Sequence, residues 1–154
     1  MVGPCPQKNL EALTQYGLAG LFLASFAAAT ILPMGSEVVL GVLLANGHDP
    51  ALSVIVATIG NVLGSVVNYL MGLWGAKFTM EKILRIPEQE FTRATRQFKR
   101  FGPPCLLFAW VPVIGDPLTI AAGVLRVNFP LFLILVTMGK GLRYLAIALA
   151  FTVW

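Results

Sequence analysis

Two long stretches without a charged residue constrain this chain more than any other feature. No Asp, Glu, Lys or Arg occurs in the 25 residues between Glu11 and Glu37, or in the 27 residues between Asp49 and Lys77. A helix needs about 20 apolar residues to cross the hydrocarbon core of a bilayer, so both stretches are long enough. Charged residues make up only 12% of the chain, against about 25% in soluble domains. The sequence therefore predicts an integral membrane protein.

Two apolar segments are predicted to be transmembrane helices. The first runs from Ala51 to Gly75 and contains several glycines, which let a neighbouring helix approach closely. The helix face that carries these glycines could equally pack against a second copy of the chain, so a homodimer is also predicted. The second span runs from Pro130 to Trp154. It carries Lys140 and Arg143 near its middle, where a charge costs at least about 2.5 kcal/mol on insertion scales.

A basic segment separates the two halves of the chain. Pro87 to Phe101 is predicted to be an amphipathic helix at the membrane surface, since its apolar and basic residues fall on different faces. Because cytoplasmic loops carry an excess of Lys and Arg, the loop at 77–100 is predicted to be cytoplasmic. Anionic lipid headgroups lie beside such a loop, so membrane lipid is the expected partner and nucleic acid is not.

Two further apolar segments are interrupted by proline and glycine. Pro33 and Gly35 break the first segment, and Pro112, Gly115 and Pro117 break the second. Each side of a break holds about ten to sixteen residues, which is too short to cross a bilayer. Unwound backbone at membrane depth is tolerated where it is buried in protein or lines a wet cavity. The sequence therefore predicts two re-entrant helical hairpins with these residues at their tips.

The two broken segments are related by an offset of 79 residues. The matched pairs are Pro33 with Pro112, Glu37 with Asp116, Gly60 with Gly139, Asn61 with Lys140, and Phe22 with Phe101. The offset predicts pseudo-repeat halves at about 10–75 and 88–154 within a single domain over 1–154. Since one span lies between the hairpins, the second hairpin enters from the opposite face, as in the inverted repeats of many secondary transporters.

The predicted fold is therefore an all-α polytopic membrane protein. It combines an inverted repeat of two re-entrant hairpins with transmembrane helices and one amphipathic interfacial helix. The orientation of the N-terminus stays open. It is cytoplasmic if Leu10 to Leu32 crosses the membrane, and outside if that segment only dips into it.

Charged and polar residues inside the apolar regions are the candidates for function. An unpaired buried charge is very costly, so these groups should pair with one another or face water. We expect them to surround a polar cavity where the acids exchange protons and the bases receive an anionic group such as phosphate. The alternative is that they form structural ion pairs. The candidate substrate- and proton-binding residues are Glu37, Asp116, Lys140, Arg143, Asn61 and Arg126.

No pattern in the sequence predicts covalent catalysis. Cys5 and Cys105 lack the spacing of metal ligands and are expected to be free thiols. His48 lies in a polar turn and is expected at the surface, so the serines of the apolar segments have no histidine partner. No catalytic residue, metal site or cofactor is predicted, and the chain is not expected to be an enzyme.

Four motifs together resemble the DedA family of membrane proteins, also called the VTT or SNARE-associated Golgi protein family, and in particular its small YqaA-like branch. The motifs are Pro33-x-Gly35-Ser36-Glu37, Gly60-Asn61-x-Leu63-Gly64, Trp110-x-Pro112-Val113-x-Gly115-Asp116 and Gly139-Lys140-x-Leu142-Arg143-Tyr144. The resemblance implies two opposed re-entrant hairpins in a multi-pass protein of the bacterial inner membrane, with the family's hairpin acid at Glu37. It also implies movement of lipids such as undecaprenyl phosphate or phospholipid, coupled to protons in some members.

The chain departs from the family pattern at Ala109 and Gly115, where typical members carry arginines. Basic charge is found instead at Lys140 and Arg143, which leaves the substrate open. Three hypotheses follow. The chain is a translocase for an anionic lipid headgroup, or a proton-coupled transporter of a small soluble ion or solute, or a membrane scaffold that transports nothing.

Overall fold

The computed structural model describes residues 7–30, 35–82, 88–111 and 114–153, with side chains over 16–30, 35–75, 88–111 and 114–151. Every element in this part of the chain is a helix, which confirms the all-α prediction. The elements are α1 (Gln7–Thr30), α2 (Ser36–Ala45), α3 (Pro50–Lys82), α4 (Glu88–Phe101), a 3-10 helix (Pro103–Trp110), α5 (Gly115–Val124) and α6 (Phe129–Val153). The predicted tip residues Pro33 and Pro112 lie outside the described residues.

Helices α3 and α6 contain the segments that are long and apolar enough to cross a membrane. Within the described ranges these segments are Pro50–Gly75 and Phe129–Phe151, close to the bounds predicted from the sequence. Helix α3 continues beyond Gly75, whose non-helical backbone angles (φ 160°, ψ 72°) produce a kink. The second span therefore does carry Lys140 and Arg143 inside it.

Helices α2 and α5 are too short to cross a bilayer. Each has 10 residues and is about 15 Å long, half the roughly 30 Å of a hydrocarbon core. Each has an acid in its first turn, Glu37 in α2 and Asp116 in α5, where the positive end of the helix dipole favours a carboxylate. Helix α5 begins and ends 79 residues after α2, and α6 begins 79 residues after α3. These helix bounds agree with the predicted repeat, and its inverted topology stays a prediction.

The turns that follow α2 and α5 have the same backbone hydrogen bonds. Gly47 N donates to Leu44 O, and Arg126 N donates to Gly123 O, both at 3.0 Å. Both turn residues have positive φ, 80° at Gly47 and 52° at Arg126. Arg126 thus adopts a backbone conformation that usually favours glycine. Its side chain is exposed at this turn.

The glycines of α3 are used for packing within the chain. A side chain at Gly60 or Gly64 would strike α1, and one at Gly72 would strike the backbone of α5. The predicted close approach of helices is therefore present. Because Gly60, Gly64 and Gly72 are covered by α1 and α5, these three glycines do not supply a dimer interface, and the homodimer stays a prediction.

A close approach of α3 and α5 gives the first test of the fold. A methyl group on Gly123 would overlap the backbone carbonyl of Tyr69 and crowd Gly72 Cα at 3.1 Å. Since backbone cannot move aside cheaply, we expect Gly123→Ala to destabilise the protein by about 1–3 kcal/mol, measured as a lower melting temperature in detergent. Gly20→Ala in α1 is the matched control, because an added methyl there meets nothing within 4 Å. Equal melting temperatures for the two variants would contradict this packing.

Helix α4 is the predicted amphipathic helix. It buries Ala94 and Phe98 and packs against α5 and the 3-10 helix. Phe101, predicted on the same apolar face, is 62% exposed. Acids in the first turn and bases in the last turn match the helix dipole.

The placement of His48 differs from the prediction of a surface histidine. Both ring nitrogens are buried and have no hydrogen-bond partner within the part of the chain that the structure describes. The turn after α2 packs on α1 at Gly17, where an added methyl would lie 3.1 Å from His48 Nε2. The ring is therefore covered by α1 despite the polar sequence around it. Cys105 is a free, buried thiol as predicted.

Candidate functional site

The four predicted charges meet where α2, α5 and α6 come together. Arg143 Nη2 forms an ion pair with Glu37 Oε1, and Lys140 Nζ lies 4.0 Å from Asp116 Oδ1. The two bases are one helical turn apart, so one face of α6 carries both. Each base faces the acid of a different short helix. The structure thus brings these charges together, and their function stays a prediction.

Lys140 is buried in a cage of oxygen atoms from α3. Its ammonium group donates to Asn61 Oδ1, to Ser65 Oγ at 2.5 Å and to Asn61 O at 3.4 Å. These contacts use the three N–H donors that a lysine has. The carboxylate of Asp116, at 4.0 Å, is beyond hydrogen-bond distance of the ammonium group. Among the described residues nothing donates a hydrogen bond to that carboxylate.

Tyr144 links α6 to α2 and α3. Asn61 Nδ2 donates to the Tyr144 hydroxyl at 2.6 Å, and Ser36 Oγ lies 2.9 Å from the same oxygen. Since the tyrosine oxygen accepts from Asn61, its own hydrogen can be donated to Ser36. Asn61 therefore contacts both Lys140 and Tyr144, which supports its place among the candidates.

Sequence reasoning missed Ser36, Ser65 and Tyr144 as site residues. Ser65 lies one turn after Asn61 on the same face of α3, so the helical spacing was an available signal. Ser36 and Tyr144 lie inside the family motifs, but neither side chain is charged. The criterion of buried charge therefore does not identify them. These three residues supply hydroxyl groups to the site.

Arg143 has a second contact that holds the 3-10 helix. Its Nη1 donates to Trp110 O at 3.0 Å. Ala109, beside Trp110, is buried, and a side chain on Gly115 would overlap the Ala109 carbonyl. The packing of this chain therefore leaves no space for an arginine at position 115. The positive charge of the site comes from α6 instead.

Three of the four charged residues, Asp116, Lys140 and Arg143, line a very small polar cavity of about 10 Å³. That volume holds about one water molecule. Any headgroup larger than water must therefore widen the cavity. The lining residues are Ala28, Ser36, Asn61, Ala109, Val111, Asp116, Lys140 and Arg143.

An apolar groove adjoins this cavity. It has a volume of about 390 Å³ and lies between α6 and the 3-10 helix, and we call it the α6 groove. Its lining residues are Leu107, Trp110, Gly139, Leu142, Arg143 and Ala146. Arg143 lines both the groove and the polar cavity. A cationic group thus lies where a polar site and an apolar surface meet.

The remaining predicted residues are placed differently. Gly35 is exposed just before α2, whereas Gly115 and Pro117 are buried in the first turn of α5. Arg126 lies at the turn after α5, and its side chain takes part in none of the ion pairs or side-chain hydrogen bonds described above. Across the described ranges, no three His, Cys, Asp or Glu side chains are grouped as metal ligands would be.

Comparison with known proteins gives one family match. A model described as the VTT domain matches residues 32–153. The chain is 40% identical to the inner membrane protein YqaA of Escherichia coli (strain K12), over 91% of this chain and 92% of that protein. It is 35% identical to an "Uncharacterized protein" of Haemophilus influenzae over 84% of each chain.

The chain also has a more distant relative. The chain is 28% identical to an "Alkaline phosphatase-like protein" of Lactococcus lactis subsp. lactis, over 84% of this chain and 67% of that protein. No solved structure matches the chain.

Proposed function

The chain belongs to the VTT-domain family, also called the DedA family, and from this premise we propose that it translocates an anionic lipid across the inner membrane. The observation that carries the proposal is the position of Arg143, which lines both the polar cavity and the α6 groove. A guanidinium group suits a phosphate headgroup, and an apolar groove suits a lipid chain. A soluble anion would use the cavity alone, so the groove favours a lipid.

We also propose that α2 and α5 are arms of two opposed re-entrant hairpins. Both helices are too short to span, and both present an acid at the end that faces the charged cluster. Asn61 and Lys140 occupy equivalent positions at the offset of 79, and they contact each other. Equivalent residues of an inverted repeat touch only near its axis. The cluster is therefore expected at the interface of the two halves, where such transporters bind their substrates.

The balance of charge suggests how transport is driven. The formal charges of the two acids and the two bases sum to zero. An added anion must therefore displace a negative charge that is already present. We propose that the lipid phosphate replaces the Glu37 carboxylate on Arg143. A carboxylate released into an apolar region is more stable when protonated, so Glu37 takes up a proton. Translocation of the anion is then coupled to a proton.

The test is reconstitution of the purified protein into liposomes. We expect it to accelerate the transbilayer movement of fluorescent phosphatidylglycerol, measured by dithionite quenching. Phosphatidylcholine with the same chains is the matched control, because its headgroup has no net charge, and it should move more slowly.

Two results would contradict the proposal. The first is a failure to accelerate any anionic lipid, with or without a pH gradient. The second is uptake of radiolabelled phosphate into the same liposomes without lipid movement, which would favour the transporter of a small soluble ion.

A further inference from the structure

A second apolar groove lies between α4, the 3-10 helix and the start of α5, and we call it the α4 groove. Its volume is about 310 Å³, and its lining residues are Gln97, Phe101, Cys105, Phe108, Val111 and Ile114. With about three residues per turn, Cys105 and Phe108 lie on one face of the 3-10 helix, whereas the residues that line the α6 groove lie on another. The two grooves are therefore different surfaces.

A cation lies at the rim of this groove. The guanidinium carbon of Arg100 is 5.4 Å from the centroid of the Phe101 ring, and Phe101 lines the groove. Arg93 is also close, because it is one turn before Gln97 on the same side of α4. By the helical period, Lys99 points to the opposite side of α4 from Gln97 and Phe101. The α4 groove is thus apolar inside and basic along one edge.

We propose that the α4 groove binds an anionic phospholipid of the leaflet that α4 faces. One acyl chain lies in the groove, and the phosphate contacts Arg100 with Arg93 nearby. The charge at the rim selects an anionic amphiphile over a purely apolar chain. Two aromatic rings of the lining, Phe101 and Phe108, are 62% and 61% exposed. A bound acyl chain would cover both.

The α4 groove lies next to the charged site. Val111 lines the α4 groove and also the polar cavity that contains Asp116, Lys140 and Arg143. A lipid in the α4 groove is therefore a neighbour of the site. The binding inference depends on the groove and its rim, and it does not require the proposed translocation to be correct.

Photo-crosslinking of the full chain in nanodiscs tests this site. The probe is phosphatidylglycerol with a diazirine in its acyl chain, diluted into phosphatidylcholine. We expect adducts, mapped to single residues by peptide mass spectrometry, at Phe101, Cys105 and Phe108, which line the α4 groove. Arg100→Gln should lower adduct formation there about five-fold, since one basic residue near a lipid surface is worth about 1 kcal/mol.

Lys99→Gln is the matched control, because it removes the same charge from the neighbouring position on the opposite side of α4. It should leave the adducts unchanged. Equal losses in the two variants would show general attraction of anionic lipid and overturn the site. Adducts confined to the α6 groove, or spread evenly over the exposed faces of α3 and α6, would also overturn it. Since the measurement uses the resting protein, a failure of lipid flipping in liposomes would not affect its outcome.

Discussion

Replacing Arg143 by alanine is expected to reduce the translocation of phosphatidylglycerol by about 100-fold, to the rate of protein-free liposomes. The variant loses the guanidinium group proposed to bind the lipid phosphate, and hydrogen bonds to charged groups contribute about 1.5–3 kcal/mol. It also leaves the Glu37 carboxylate without its ion-pair partner. The dithionite assay in liposomes measures this loss directly.

Two control variants separate substrate binding from folding. Arg143→Lys keeps the charge but cannot make the two-pronged contact of a guanidinium, so we expect partial activity. The double variant Glu37→Gln with Arg143→Ala removes the unpaired carboxylate and should be more stable than Arg143→Ala alone, yet remain inactive. Full activity in Arg143→Ala would rule out this residue as the phosphate-binding group. Recovery of activity in the double variant would show that the pair has only a structural role.

Replacing Lys140 by methionine is expected to cause the largest loss of stability among the charged residues, about 3–5 kcal/mol. The ammonium group is buried, with only 3% of the residue exposed, and it satisfies Asn61, Ser65 and Asp116 together. Methionine fills a similar volume but donates no hydrogen bond, so three acceptor oxygens of Asn61 and Ser65 lose their donor and the Asp116 carboxylate loses its ion-pair partner. Thermal unfolding of the purified protein in detergent measures the effect as a lower melting temperature.

A double variant and a surface control make the Lys140 result specific. Adding Asp116→Asn to Lys140→Met removes the uncompensated carboxylate and should restore part of the lost stability. Lys99→Met removes a lysine from the exposed side of α4 and should change the free energy of unfolding by about 0.5 kcal/mol or less. If the Lys140 and Lys99 variants melt at the same temperature, the oxygen cage around Lys140 is not a stabilising contact.

Much of the helical architecture was predictable because it depends on local patterns. Long apolar segments identified the spans in α3 and α6, although the second carries Lys140 and Arg143, and the alternation of apolar and basic residues identified α4. Short helices do begin next to the predicted breaks, at Ser36 and Gly115, whereas the re-entrant hairpins stay a prediction. Hydrophobic length and helical period act within a single segment, so no knowledge of its neighbours is needed.

Some placements could not be predicted from local patterns. The polar turn around His48 indicated an exposed ring, but packing of that turn on α1 covers it. Arg126 borders the predicted second hairpin in the sequence, yet the end of α5 holds it at an exposed turn. In both cases the deciding contact comes from the arrangement of helices, which local composition does not encode.

The sequence by itself determined that the chain is a helical membrane protein and that Glu37, Asp116, Lys140 and Arg143 require partners. A charge in an apolar segment is costly wherever the chain places it, so the requirement can be deduced from each residue alone. Only the tertiary structure decided which acid meets which base, and that the hydroxyl groups of Ser36, Ser65 and Tyr144 join the site. Contacts such as that between Ser36 and Tyr144 join residues 108 positions apart. The crossing of α2, α3 and α6 brings such residues together, and that crossing depends on the packing of whole helices.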